Sequence, residues 1–333
     1  MNVPKIKNPE MNGDVYVGVD VMKFVCALLI VFLHTYNYDL GQCGDWTRVN
    51  LSSVGVPFFF IVSGFLYAKG LKRNADPKEY FHHYLKRVFY MYLFWSVLTL
   101  PVAWMNVGIA HSDYSLALKV IYIVRCFFFT GTLGIYWYLL ALVYSCIVIY
   151  YALKWNKRFM LYLISLIFFV VGVLYDGGLI RETFVGKFIY VVVGSENNFL
   201  NVGLFYMCIG LLFQEKGIVM NRYVTIFFLV LSIVLSTILN TMSPYRIMKA
   251  PIAVFLFMIS VQYGFTMFKR SALSLRRWST AIYLGHFPFI LLFDYYLKRG
   301  TLIDFPLAIL FSLVLFFVFS YMCSKNFLKH VYG

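Results

Sequence analysis

An all-α, polytopic integral membrane protein is predicted, and three observations predict it. Hydrophobic residues make up 62% of the 333 positions, against about 45–50% in a soluble domain. Charged residues are only 13%, where a soluble chain carries roughly 25%. The apolar residues lie in runs long enough to cross a bilayer, with cations between them. One soluble core cannot bury that much apolar surface, because cores stop growing at about 250–300 residues. A soluble enzyme and a disordered chain are therefore excluded.

A bilayer core needs about 20 apolar residues per helix. Ten segments satisfy this: 17–38, 54–70, 88–107, 134–153, 159–175, 199–214, 223–241, 250–268, 279–297 and 303–323. The first carries Asp20, Lys23 and His34 and lacks a small-residue cleavage site, so it reads as a span and not as a signal peptide. Residues 115–130 are apolar but hold Lys119 and Arg125, and are read as interfacial or re-entrant.

The net charge is +15. With the N-terminus placed in the cytoplasm, 19 cations fall inside and 9 outside, with Lys23 inside the first helix. That bias predicts both termini cytoplasmic, with tails at 1–16 and 324–333 flanking a membrane domain at 17–323, in the cell's inner (plasma) membrane. The basic balance fits anionic lipid rather than nucleic acid. The cysteines, Cys26, Cys43, Cys126, Cys146, Cys208 and Cys323, form no CxxC pair and read mostly as packing residues. No His, Asp and Glu spacing points to a metal, and no bound cofactor is expected.

Ionisable residues at membrane depth are costly, so each needs a reason. Asp20, Lys23 and His34 share one helix face, with Lys23 and His34 roughly 16 Å apart along the axis. Asp20 and Lys23, three residues apart, are placed to pair. Packing polars explain this pattern; so does a polar cavity with an imidazole at one end and a cation at the other. An imidazole takes and returns a proton near neutrality, and a lysine holds phosphate as a point charge. In the second span, Ser63-Gly64 offers close helix approach and a hydroxyl. The loop before the third span holds Lys69, Lys72, Arg73, Lys78, His82, His83, Lys86 and Arg87. It suits lipid headgroups or a polyphosphorylated cytoplasmic ligand. In the ninth span Tyr283 and His286, three apart, share a face. Asp294, Asp39, Asp45, Glu182 and Glu196 lie towards the outer side, and sequence does not choose among them as partners for an imidazole or a sugar.

These motifs resemble acyltransferase family 3, the integral-membrane acyltransferases that often O-acetylate surface glycans. The likeness rests first on Lys23, ten residues, then His34, where relatives more often carry Arg at the basic position. It continues with Phe59-Phe60 through Ser63-Gly64, similar to the FFxxSG motif, and Tyr80 to Trp95 around Lys86 and Arg87. His83 and Tyr84 depart from a commonly basic position, and Met91 from a common Pro. Trp137-Tyr138-Leu139, the run from Phe205 to Gly210 and Tyr283 to His286 extend the likeness over nearly the whole chain. The resemblance implies ten spans and an O-acetyltransferase activity. Acetyl-CoA or another acyl-CoA is the cytoplasmic co-substrate, and a hydroxyl of a cell-surface or lipid-linked sugar is the acceptor. It makes His34 the catalytic residue and Lys23 part of acyl-CoA binding; the basic loop itself offers Lys86 and Arg87 as the expected ligands of the nucleotide phosphates. Asp20, Ser63, Gly64, Tyr283 and His286 are supporting candidates, Ser63 as an oxyanion donor. His34 serves either as general base or as acyl carrier. Two other classes fit the same chain: a transporter or flippase for a lipid-linked glycan, and a membrane ligand sensor.

Overall fold

A computed structural model describes residues 16–35, 44, 46–47, 50–193, 198–218, 220–239, 246–264, 268, 270–297 and 303–322. Residues 1–15 of the predicted N-terminal tail and all of the predicted C-terminal tail, 324–333, lie outside these residues. So do Cys43, Cys323, Asp39, Asp45 and Glu196.

The described residues form helices and no strand. In chain order these are α1 (Val17–His34), α2 (Gly55–Arg73), α3 (Pro77–Leu98), α4 (Leu100–Ala110), α5 (Leu116–Phe129) and α6 (Trp137–Lys154). They continue with α7 (Arg158–Asp176), α8 (Phe184–Val193), a π-helical turn (Phe199–Gly203) running into α9 (Leu204–Lys216), and α10 (Arg222–Leu239). The last are α11 (Arg246–Gln262), α12 (Ala272–Leu297) and α13 (Asp304–Met322). Helix covers most of each of the ten predicted segments. By length and apolarity, six helical stretches among the described residues are able to cross a membrane, or seven if α3 and α4 count as one span.

Local chemistry explains where the third span departs from its predicted bounds of 88–107. Asp76 caps α3, its Oδ1 accepting from the backbone of Lys78 at 2.8 Å and Glu79 at 3.2 Å. Pro77 occupies the first turn, where its missing N–H costs nothing. The helix thus begins within the basic loop, so Arg87 stands on a helix and not on a loop. It breaks at Thr99, where α3 and α4 meet at 61° with Pro101 in the first turn of α4.

Three contacts fix the helices that matter for the site. Helices α1 and α12 run parallel: Asp20 meets Arg276, Phe24 meets Trp278 at 6.5 Å between ring centroids, and His34 meets His286. Helices α1 and α2 run antiparallel, since Gly55 packs on Cys26 and Ile30 while Lys69 donates to the Tyr16 hydroxyl at 2.8 Å. Helices α2 and α9 cross closely through glycines. A Cβ on Gly64 would stand 2.2 Å from the Met207 carbonyl oxygen, and one on Gly210 would stand 2.1 Å from that of Ile61. Backbone atoms cannot step aside, so Gly64 serves the crossing itself. Gly64→Val is expected to lower stability by about 3 kcal/mol, the upper end for overpacking. Thermal unfolding in detergent checks this; an unchanged midpoint contradicts the crossing.

Candidate functional site

The membrane domain encloses a cavity of about 640 Å³ bounded by α1, α2, α3, α6 and α12. Its cations are Lys23, Lys69, Arg73, Arg87 and Arg276, and one carboxylate, Asp20, stands among them. Five cations against one acid make the cavity an anion-attracting space. Tyr80 and Tyr84 line the same end, the Arg87 guanidinium lying 5.2 Å from the Tyr84 ring centroid.

Asp20 is buried at 2% exposure, and its partner is not Lys23. Arg276 grips it with a fork, Nε to Oδ1 at 2.8 Å and Nη2 to Oδ2 at 2.9 Å. The bidentate fit and full charge satisfaction win over the single-point ammonium three residues along the helix. Lys23 is thereby left facing the cavity. Nothing local in the sequence links Arg276 to a residue 256 positions away.

Lys86 does not line the cavity. It is exposed, with Nζ 5.6 Å from the Tyr90 ring centroid. Consecutive helical residues point about 100° apart, so only Arg87 of that pair turns inward. His82, His83, Lys72 and Lys78 also stay outside the lining.

Ser63 lines the cavity, its hydroxyl 3.1 Å from that of Tyr138. The antiparallel register puts it near Asp20 and Lys23. From Gly55, level with Cys26 and Ile30, α2 climbs roughly 12 Å to Ser63 in the direction away from His34. Ser63 therefore stands on the cavity wall, on the side away from His34.

The inner end of the cavity is closed by a triangle of rings. Phe59, Tyr138 and Tyr283 sit 5.3–6.1 Å apart between centroids. The Tyr283 hydroxyl donates to the Ile135 carbonyl at 3.1 Å, which pins α12 to the turn before α6. His286 lies behind Tyr283 at 6.3 Å between centroids, and His34 lies 5.4 Å from His286. Neither imidazole belongs to the cavity lining. His34 is half-buried and edge-on to Phe287 at 4.9 Å, while His286 is wholly buried. Sequence reading named both histidines; their meeting is a product of the parallel packing of α1 and α12.

The cationic cavity and the imidazole pair behind its aromatic wall lie within one family-wide match. Residues 16–325 match the family described as Acyltransferase domain, acyltransferase family 3. The chain belongs to this family. Together with its apolar helices, membership makes it a multi-pass membrane protein. Among curated proteins, an amino-acid racemase of Enterococcus faecalis is 28% identical over 199 residues, covering 58% of this chain and 27% of the relative. A serine/alanine racemase of Enterococcus gallinarum is 23% identical over 227 residues, covering 65% of this chain and 32% of the relative. The chain thus spans about a third or less of the length of these relatives. No solved structure matches it.

Proposed function

We propose that this family member is a membrane O-acyltransferase. It moves an acyl group, acetyl in the simplest case, from cytoplasmic acyl-CoA to a hydroxyl of a cell-surface or lipid-linked glycan. The single observation that supports this is the cationic cavity bounded by the Phe59, Tyr138 and Tyr283 rings, with the His34 and His286 imidazoles just behind them. In this reading ten spans cross the bilayer with both termini in the cytoplasm, as the cation bias favours. The names of the racemase relatives describe much longer proteins, so racemisation is not carried over.

Acyl-CoA is anionic at one end and uncharged along its arm. Its phosphates sit among Lys69, Arg73 and Arg87, the residues at the cavity's loop end. The arm passes Lys23 and Ser63, and the thioester goes beyond the Phe59, Tyr138 and Tyr283 rings when these turn aside. His34 takes the proton of the acceptor hydroxyl as the oxygen attacks the thioester carbonyl. The new C–O bond forms, the C–S bond breaks, and the imidazolium returns its proton to the departing thiolate. A covalent route, with His34 holding the acyl group between two such steps, uses the same residues.

Labelled acetyl-CoA offered to the protein in native membranes tests the reading, with glycan mass analysis as readout. A small acyl mass that appears only when the protein is present supports it. Donor binding without turnover indicates a sensor, and glycan movement that needs no donor indicates a transporter. Lys23→Ala is expected to raise KM for acetyl-CoA about 10–100-fold, the loss of one charge-assisted contact. Lys23→Arg keeps the charge and is expected to stay near wild type. Equal KM across all three removes Lys23 from donor binding.

A further inference from the structure

We propose that His286 is a positioning residue for His34: with the His34 ring turned towards it, the His286 Nε2 accepts a hydrogen bond from a ring N–H of His34 and so selects one tautomer of that imidazole. The inference rests on the acyl-transfer reading above and adds to it a residue that acts through His34.

The first support is the state of His286 itself. Its Nδ1 lies 2.9 Å from the carbonyl oxygen of Ile282, one turn earlier on α12. A carbonyl oxygen only accepts, so Nδ1 carries the proton and donates it. In a neutral imidazole the other nitrogen is then a lone-pair acceptor. Here that nitrogen, Nε2, is buried and has no hydrogen-bond partner among the described residues. An unpaired buried acceptor costs about 1–3 kcal/mol, and an apolar ring would fill the same space without that cost.

The second support is what the ring faces. The His34 imidazole stands 5.4 Å away between centroids, tilted by 36°. At that spacing ring nitrogens turned towards each other come within about 3 Å, hydrogen-bond range. His34 makes no hydrogen bond to any described residue through its ring; its ring contacts are His286 and Phe287. The buried acceptor on α12 and the uncommitted donor on α1 are therefore complementary, and the parallel packing of the two helices holds them together.

The chemistry follows from the tautomer. When one His34 nitrogen donates to His286, the other is deprotonated and able to accept the proton of an attacking hydroxyl. After that transfer His34 is an imidazolium, and its first N–H still points at the His286 lone pair, which stabilises the charge without taking the proton. His286 has the role that a buried orienting group has beside any catalytic imidazole, here supplied by a neutral ring suited to the interior of a bilayer.

Two substitutions separate this role from packing. His286→Gln keeps an acceptor oxygen near the Nε2 position, and His286→Phe fills the space without one. The full chain in lipid vesicles, with 15N-labelled histidine, gives the His34 tautomer by NMR, the signal being assigned by its loss in His34→Ala. A single His34 tautomer is expected in the wild type and in His286→Gln, and a mixture in His286→Phe. In native membranes with labelled acetyl-CoA, kcat is expected to fall at least about tenfold in His286→Phe, with KM unchanged, and to be largely retained in His286→Gln. A His34 tautomer that ignores residue 286, or equal kcat in the two variants, overturns the proposal. A tautomer that depends on residue 286 in a wild-type protein that transfers no label supports the hydrogen bond and sinks the acyl-transfer reading instead.

Discussion

His34→Ala is expected to abolish acyl transfer from acetyl-CoA while the protein still inserts and folds. General acid–base catalysis by one side chain is worth about 100- to 10,000-fold, and loss of a covalent carrier would stop the reaction outright. Structural cost is expected to be small. His34 is the last residue of α1, only half-buried, and its ring touches His286 and Phe287 without a hydrogen bond to a described residue. The check has two arms: labelled product in native membranes, and the unfolding midpoint in detergent. Wild-type product from a properly inserted variant would falsify the catalytic assignment, whatever the stability.

Asp20→Ala is expected to act in the opposite way, chiefly through stability. Removing one member of a buried ion pair costs about 3–5 kcal/mol, because the remaining charge is left without compensation. The lower end applies here. The Arg276 side chain is 32% exposed, so water in the cavity can hydrate the stranded guanidinium. The double variant Asp20→Leu with Arg276→Leu is expected to recover most of that loss, since it strands no charge. Unfolding midpoints of the two single variants and the double one form the test. If the double variant is as unstable as Asp20→Ala, the fork is not what holds α1 to α12. Arg276→Leu alone leaves Asp20 at 3% side-chain exposure with Lys23 as its nearest cation on α1, and is expected to be the less stable of the two single variants.

The residues that carry charge through the membrane were readable from the chain, whereas their partners were not. Asp20, Lys23 and His34 announce themselves because a bilayer interior makes each one expensive. Helical spacing then offers Lys23 as the partner of Asp20, and that choice is local by construction. Arg276 displaces it from the far end of the sequence because a guanidinium answers both carboxylate oxygens at once. The two histidines were each legible as intramembrane imidazoles, but their encounter depends on α1 and α12 running in the same direction. Ser63 shows the converse limit. Its motif names it, and only the register of α2 against α1 shows that it stands with Lys23, far from His34. The exposure of Lys86 was within reach of sequence reasoning, since adjacent helical positions cannot both face one cavity. The long apolar helices followed directly from hydropathy. The early start of α3 followed from Asp76 and Pro77, a cap signal inside what composition alone reads as a loop.

The ring triangle of Phe59, Tyr138 and Tyr283 bears on something other than transfer. Each elementary charge that leaks down a 100 mV membrane potential gives up about 2.3 kcal/mol. A permanently open passage wide enough for an acyl chain would also conduct protons and small cations, and the cell would lose its energised state. Three aromatic rings packed tilted and edge-to-face place apolar surface between the cationic chamber and the imidazoles. The protein can thus stay embedded at rest without short-circuiting the membrane it occupies.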